Sequence, residues 1–202
     1  MRRRTFLLAA PAFAVASRAE ASETDVMTIG ASSAPLHLIE YASATCPHCA
    51  HFHETNWARL KADYIDEGRV RLSLHELLTP PPPVALAMFQ LARCGGAGGE
   101  EYFRRLGILF QRQRQILETG TMGGVRDYLV ALGAEWGLVE SEVMTSLNDP
   151  AGVDRIRRMI ADASQRGVTG TPAFFLNGAA ITDQTFLTPE GMVDILNERL
   201  SR

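Results

Sequence analysis

Cysteine is scarce in this chain of 202 residues, which contains only three. Small domains held together by disulfides use more cysteines, so that class of protein is excluded. No apolar run reaches the roughly 20 residues that a transmembrane helix needs, so the sequence offers no candidate membrane span. Basic residues are not in excess either, since 20 Lys and Arg stand against 23 Asp and Glu, a net charge of −3. That balance gives no support to nucleic-acid binding, which typically relies on a basic surface.

The first 21 residues have the three parts of a cleavable export signal. Residues 2–4 form a basic start, residues 6–16 an apolar stretch, and Ala19-Glu20-Ala21 a small-residue cleavage site. The basic start fits both the general secretory and the twin-arginine route, and the choice stays open. Either route predicts a periplasmic location, where disulfides persist. Loss of this segment, with four arginines and one glutamate, would change the net charge from −3 to about −6.

The most informative motif is Cys46-Pro47-His48-Cys49. Two cysteines separated by two residues, directly after a strand-like run, are typical of a redox-active dithiol. The residues after Cys49 have a helical pattern, which places Cys46 at the N-terminus of a helix. Unpaired backbone N–H groups and the helix dipole favour an anion there, so we expect a lowered pKa for the Cys46 thiol. Cys46 is therefore the predicted attacking or leaving sulfur.

The other residues of the motif support the same chemistry. Pro47 suits the first helical position, because the N–H that it lacks would have no partner there. His48 lies between the two sulfurs and can donate to a thiolate, and stabilising the reduced form makes the disulfide a stronger oxidant. Cys49 lies one helical turn further on, and we expect it to be less exposed and to act as the resolving cysteine. The motif therefore predicts an oxidising redox protein.

Strand patterns surround the motif. Strands are predicted at 24–29, 36–41 and 69–75, with a helix from Cys46 to about residue 67. The run at 36–41 alternates little, as expected of a strand that is buried on both faces. A strand, a helix and a second strand in this order predict a parallel pair with a right-handed crossover.

A helical block follows the third strand. Four prolines after Thr79 predict a stiff extended connector before this block. Beyond the block, Asn177-Gly178 between two short apolar runs predicts a β-hairpin at 173–181. The last helix is predicted to begin with Thr188 as its cap and Pro189 in its first turn. Within the block, helices are predicted at 84–94, 100–117, 125–132, 141–147 with Ser141 as cap, and 151–165.

Taken together, residues 22–202 resemble the DsbA-like family of thiol:disulfide interchange proteins. The resemblance lies in Cys46-Pro47-His48-Cys49, the helical block and the segment 170–178, Gly-Thr-Pro-Ala-Phe-Phe-Leu-Asn-Gly. It implies an α/β fold in which a thioredoxin-like sheet is flanked by helices and carries an all-helical insertion at about 80–166. It also implies that residues 22–202 form a single domain after the export signal at 1–21.

The resemblance assigns roles to three further residues. It implies that Pro172 is cis and faces the dithiol, and that the backbone of Thr171 pairs with an extended client peptide. Such strand addition gives affinity with little demand on the sequence of the client. It also implies that Glu40 is a buried acid linked to proton transfer near the resolving cysteine. We favour that role over a solvated acid at a strand edge, because buried ionisable groups in clefts tend to be functional.

The same resemblance implies an exported protein-disulfide oxidase. It would donate the Cys46–Cys49 disulfide to reduced, unfolded exported proteins and be reoxidised by a quinone-linked membrane oxidase of the DsbB type. No cofactor beyond the redox-active disulfide, no metal and no nucleic acid is expected, and the protein is expected to be monomeric. Two alternatives remain, a reductase or isomerase of the same fold and a peptide-binding chaperone whose disulfide is structural.

Two further groups of residues allow more than one interpretation. Cys46, Cys49, His51 and His53 include residue types that bind zinc, but on one helix these positions do not converge on a single point. His51 and His53 are instead expected at the surface, near the rim of the active site. Cys94 is either a buried core residue or a reactive thiol, and the sequence leaves both open.

Overall fold

The computed structural model describes residues 25–202. The predicted export signal at 1–21 lies outside the described residues and stays a prediction. The described part of the chain contains a five-stranded sheet in the order β1-β3-β2-β4-β5, in which only β2 and β3 are parallel. The strands are β1 Met27–Ile29, β2 Leu36–Ala42, β3 Val70–Glu76, β4 Ala173–Leu176 and β5 Ala179–Ile181.

Helices flank this sheet, and most of them lie between β3 and β4. The thioredoxin-like fold with a helical insertion, expected from the sequence, is confirmed. The helices are α1 Pro47–Leu60, α2 Pro82–Arg93, α3 Gly99–Gln111, α4 Gln113–Glu118, α5 Met122–Glu135, α6 Glu140–Leu147, α7 Pro150–Gln165 and α8 Pro189–Leu200.

The core lies on both faces of the sheet, as the lack of alternation in β2 predicted. Leu38 on β2 and Leu72 on β3 face the larger cluster, which α1, α3 and α8 help to cover. Ile39 and Tyr41 point to the opposite face and pack with Ala163 of α7. Successive residues of β2 therefore face opposite sides of the sheet. Glu40, the one acid of β2, lies on the same face as Leu38.

Several predicted helix boundaries were wrong. Pro82 and Pro83 belong to α2 and not to an extended connector, because proline is tolerated in the first helical turn. Helix α1 ends at Leu60 and continues as a π-helical turn over Lys61–Ile65. The cap of α6 is Val139 and not Ser141, since Glu142 reaches back to accept the backbone N–H of Val139 at 3.1 Å.

The helix predicted at 100–117 is interrupted. Arg112 leaves the helical conformation, with φ −95° and ψ 1°, and separates α3 from α4. The break lets Gln113 turn inward, where its amide donates to the backbone oxygens of Ala44 at 2.8 Å and Cys46 at 3.1 Å. A continuous helix would satisfy local propensity better, but the break supplies a donor to the loop that carries Cys46.

The predicted hairpin and last helix are confirmed. Asn177 and Gly178 have positive φ values of 48° and 84°, as a two-residue hairpin turn with the right twist requires. The hydroxyl of Thr188 accepts the N–H of Gly191 at 3.2 Å and so caps α8. Cys94 is buried, which agrees with its interpretation as a core residue.

A buried ionic cluster fastens the helical insertion to the sheet. Glu76, at the end of β3, is fully buried. One carboxylate oxygen accepts Arg93 Nε of α2 at 2.7 Å and the Tyr102 hydroxyl of α3 at 2.8 Å. The other accepts Arg155 Nε of α7 at 3.4 Å. Three helices of the insertion therefore converge on one carboxylate.

We expect Glu76→Ala to lower the free energy of unfolding by about 3–5 kcal/mol, because it leaves two largely buried guanidinium groups without their counter-ion. Urea unfolding followed by circular dichroism measures this change. Glu118→Ala is the matched control, since it removes an exposed pair with Arg114 on the same insertion and should change little. Equal effects of the two substitutions would contradict the anchoring role of Glu76.

Candidate active site

Cys46 is positioned by the start of α1. It is the N-cap residue, with φ −81° and ψ 119°, and Pro47 occupies the first turn as predicted. The three cysteines are free thiols, and Cys46 is buried to 5% exposure. Its Sγ donates to the backbone oxygen of Thr171 at 3.3 Å, which brings together residues from opposite ends of the described chain.

The surroundings of Cys46 lower its pKa from 9.0 to about 5. The largest cause is the Cys49 thiol, which donates to the Cys46 thiolate. Burial acts against this shift, whereas the Thr171 hydroxyl and the backbone N–H groups of Cys49 and His48 support it. The lowered pKa expected from the helix N-terminus is therefore present, with donors from the motif itself.

Cys49 has the opposite environment. It is fully buried, and burial raises its pKa well above the usual value of 9.0. The Cys46 sulfur and the negative charge of Glu40 raise it further. The two sulfurs are therefore unequal, because Cys46 is readily ionised while Cys49 is held as a thiol and can donate a hydrogen bond to the Cys46 thiolate.

The His48 imidazole is exposed. This residue stabilises the Cys46 thiolate through its backbone N–H. The donation from the His48 side chain that the sequence predicted stays a prediction.

Glu40 is fully buried on β2, as expected, and its partner was not anticipated. His53 Nε2 lies 3.1 Å from one carboxylate oxygen of Glu40 and 3.0 Å from the other. The expectation that His53 lies at the surface was wrong, since its side chain is only 4% exposed. Residues four apart on a helix share a face, so the helix that buries Cys49 also turns His53 toward the sheet. His51, two residues earlier, is exposed as expected.

The Thr171–Pro172 peptide bond is cis, as the resemblance implied. The loop that carries it ends where β4 begins, and β4 pairs with β2 in a register that sets Ala173 opposite Tyr41. Thr171 also lies at the edge of an open groove of about 250 Å³. The groove is mainly apolar and is lined in part by Leu77, Leu78, Ile160, Val168 and Thr171.

Sequence reasoning missed Gln113 as well as the burial of His53. Gln113 is buried and orders the loop before α1 through its two bonds to backbone oxygens. No sequence signal marks it, because it lies far from the motif at the start of a helix with ordinary composition. His53 could have been found from its spacing to Cys49, together with the need of a buried Glu40 for a partner.

Within residues 25–202, no group of three or more His, Cys, Asp or Glu side chains is arranged to hold a metal ion. The same part of the chain has no helix that is both long enough and apolar enough to cross a membrane.

Comparison with known proteins gives a family match over nearly the whole chain. The family model described as thioredoxin matches residues 22–198. A protein from Rickettsia prowazekii is 29% identical to this chain over 153 residues. It carries the provisional name of a protein-disulfide oxidoreductase. The match covers 75% of this chain and 54% of that protein, so the chain spans about half the length of the curated relatives it matches.

Solved structures share the fold at low sequence identity. Wolbachia pipientis alpha-DsbA1 superposes with a TM-score of 0.73 at 21% identity, covering 87% of this chain and 91% of that one. A protein-disulfide isomerase from Novosphingobium aromaticivorans gives 0.72 at 18% identity, covering 88% and 98%. The fold resemblance to DsbA-like proteins, inferred from the sequence, is confirmed.

We expect the rate of Cys46 alkylation by iodoacetamide to rise with pH through a midpoint near 5, because only the thiolate reacts. The Cys49→Ala variant should have a higher midpoint, since it removes the largest cause of the shift. The measurement is mass spectrometry of reduced protein quenched at each pH. Cys94 is the internal control, because burial raises its pKa and it should stay unmodified. A midpoint near 9 for Cys46 would contradict the arrangement described above.

The same shift predicts how the stability of the reduced protein depends on pH. The pKa of Cys46 is lower in the folded than in the unfolded chain, so its stabilising contribution is fully present above about 9 and is lost as pH falls through about 5. Reduced wild type should therefore lose stability relative to reduced Cys46→Ala as pH falls across this range. Urea unfolding of both proteins at a series of pH values measures the difference, and a constant difference would be the contrary result.

Proposed function

The chain belongs to the thioredoxin family, and we propose that it is a thiol:disulfide oxidoreductase that acts as a protein-disulfide oxidase. The observation that carries the proposal is the inequality of the two sulfurs beside the Thr171–Pro172 loop. A pKa of about 5 for Cys46 and a raised pKa for Cys49 suit one sulfur to exchange and the other to resolution.

The reaction is disulfide exchange in two steps. A client thiolate attacks Cys46 Sγ of the oxidised protein, the Cys46–Cys49 bond breaks, and Cys49 leaves and takes up a proton. A second client thiolate then attacks the client sulfur of the mixed disulfide and releases Cys46 as a thiolate. Two electrons pass from the client dithiol to the protein, and the client gains a disulfide. A low pKa makes Cys46 the better leaving group in the second step.

The direction of exchange follows from the same stabilisation. Donors to the Cys46 thiolate favour the reduced form of the protein, and a stabilised reduced form makes the disulfide more oxidising. A protein with an oxidising potential would transfer its disulfide to clients, and it would not reduce disulfides that the clients already contain.

The loop before β4 supplies a place for the client. Thr171 offers backbone groups beside Cys46, and an extended peptide could pair with them as an added strand. In the thiol form its carbonyl oxygen accepts from Cys46, and loss of the Sγ proton frees that oxygen for a client N–H. The adjoining groove is mainly apolar, which suits side chains that unfolded proteins expose.

Export and partners complete the proposal. The segment at 1–21 would direct the protein to the periplasm, by either of the two routes, and its clients would be reduced, unfolded exported proteins. Reoxidation needs an electron acceptor, for which we propose a quinone-linked membrane oxidase of the DsbB type. We propose that the protein works as a monomer and that its redox-active disulfide is the only cofactor.

Two alternatives remain distinct from this proposal. A reductase or isomerase of the same fold would use the same residues at a lower potential, and the Novosphingobium protein with this fold is named an isomerase. A chaperone with a structural disulfide would need neither the low pKa of Cys46 nor the difference between the two sulfurs.

The decisive experiment is equilibration of the purified protein with mixtures of reduced and oxidised glutathione, followed by acid quenching and thiol trapping. We expect a potential near the oxidising end of the known range, about −120 mV, because the reduced form is stabilised. A Cys94→Ala variant should give the same value and serves as the control. A potential near −270 mV would overturn the oxidase and favour a reductase. A disulfide that resists mild reductants would favour the chaperone.

A further inference from the structure

A cleft of about 270 Å³ lies between α1 and α3, beside the redox motif. His53 contributes to its wall, although the side chain is almost fully buried. The ring therefore stands between the open cleft and the sheet behind it. The lining residues are Ala50, His53, Glu54, Trp57, Gly107, Phe110 and Gln111.

On its inner side the same ring contacts Glu40. Nε2 lies within hydrogen-bond distance of both carboxylate oxygens, at 3.1 and 3.0 Å. Nδ1 takes no part in these two contacts. The aromatic rings of Trp57 and Phe110 hold the imidazole, with centroid distances of 5.4 and 4.6 Å.

The proposed exchange reaction requires a proton to reach and leave Cys49, which is fully buried. Glu40 is close enough for its charge to act on the Cys49 thiol. Glu40 itself is fully buried, so any proton it gives to Cys49 must be replaced from elsewhere. Its bonded neighbour on the side of the cleft is His53.

Few charged groups face this imidazole. Glu40 approaches from β2, Cys49 precedes it by one turn on α1, and Glu54 stands beside it on the exposed part of the cleft wall. Helix α3 contributes only uncharged residues to the cleft. A proton that moves between Glu40 and the solvent in this cleft therefore has the His53 imidazole as the titratable group on its path.

We propose that His53 is a positioning residue that relays protons between Glu40 and water in the cleft between α1 and α3. When the Cys46–Cys49 bond breaks, Cys49 leaves as a thiolate and is protonated through Glu40. The Glu40 carboxylate accepts a proton from Nε2 of His53 and passes a proton to Cys49, so that it is again a carboxylate, while Nδ1 of His53 takes a proton from water. When the disulfide re-forms, the transfers run in reverse and restore the original tautomer. The inference rests on the proposed exchange reaction.

The test is His53→Gln, because glutamine keeps an N–H donor for Glu40 but cannot pass a proton from one atom to another. The measured quantity is the stopped-flow rate at which dithiothreitol opens the disulfide, at a series of pH values. We expect a loss of about 10²-fold, the lower range for positioned proton transfer. His51→Gln is the matched control, since this exposed histidine lies on the same helix and outside the cleft.

A second variant separates proton transfer from structure. His53→Ala enlarges the cleft at the position of the lost ring, and added imidazole should restore the rate in a saturable way. The Cys46 alkylation midpoint should stay near 5 in His53→Gln, since His53 is not among the groups that shift it.

Two outcomes would overturn the relay. One is a His53→Gln rate equal to wild type at every pH. The other is a slowed rate in both variants with no recovery of His53→Ala in added imidazole. That result would assign His53 a structural role alone. Failure of the proposed function is distinguishable, because the wild-type disulfide would then either resist dithiothreitol or show a potential near −270 mV against glutathione, whatever the rate in His53→Gln.

Discussion

The antiparallel pairing of β2 with β4 is the constraint on which the site depends. Its register sets Tyr41 opposite Ala173, so the end of one strand meets the start of the other. The loop that leaves β2 then leads to Cys46, and the loop that enters β4 carries Thr171. A slip of one residue would turn Glu40 to the opposite face of the sheet and remove it from Cys49. One strand register therefore places Cys46, the loop that carries Thr171 and the buried acid Glu40 together.

The helical insertion completes this site, although it is far from the motif in sequence. Glu76 fixes three of its helices to the end of β3, the parallel neighbour of β2. With the insertion held there, Phe110 of α3 packs on His53, and Gln113 binds the backbone on either side of Thr45. The insertion therefore keeps water from Cys49 and Glu40, and burial is the largest cause of the raised pKa of Cys49.

The sequence predicted the features that local patterns specify. A dithiol at a helix start, an Asn-Gly hairpin and a proline in the first turn of α8 are each determined within a few residues. The cis bond at Pro172 came only from the resemblance. The burial of His53 is not specified by a local pattern, because it also depends on α3, which lies about 50 residues further along the chain, and only its spacing to Cys49 and the need of Glu40 for a partner indicate it. Gln113 was missed for the same reason, since a tertiary contact overrides the local preference for a continuous helix.

Two buried carboxylates in this fold have different surroundings, and the difference indicates what each does. Glu76 is held by two guanidinium groups and a tyrosine hydroxyl, which donate protons into hydrogen bonds but have little tendency to release them. Such a cluster fixes geometry and anchors helices. Glu40 is held by a single imidazole, a group that can both give and take a proton and that borders an open cleft. Apolar side chains could fill the site of a buried polar pair with little loss of stability, so stability alone gives no reason for Glu40 to lie there. In the exchange reaction that we propose, a carboxylate beside a thiol that must gain and lose a proton has such a reason.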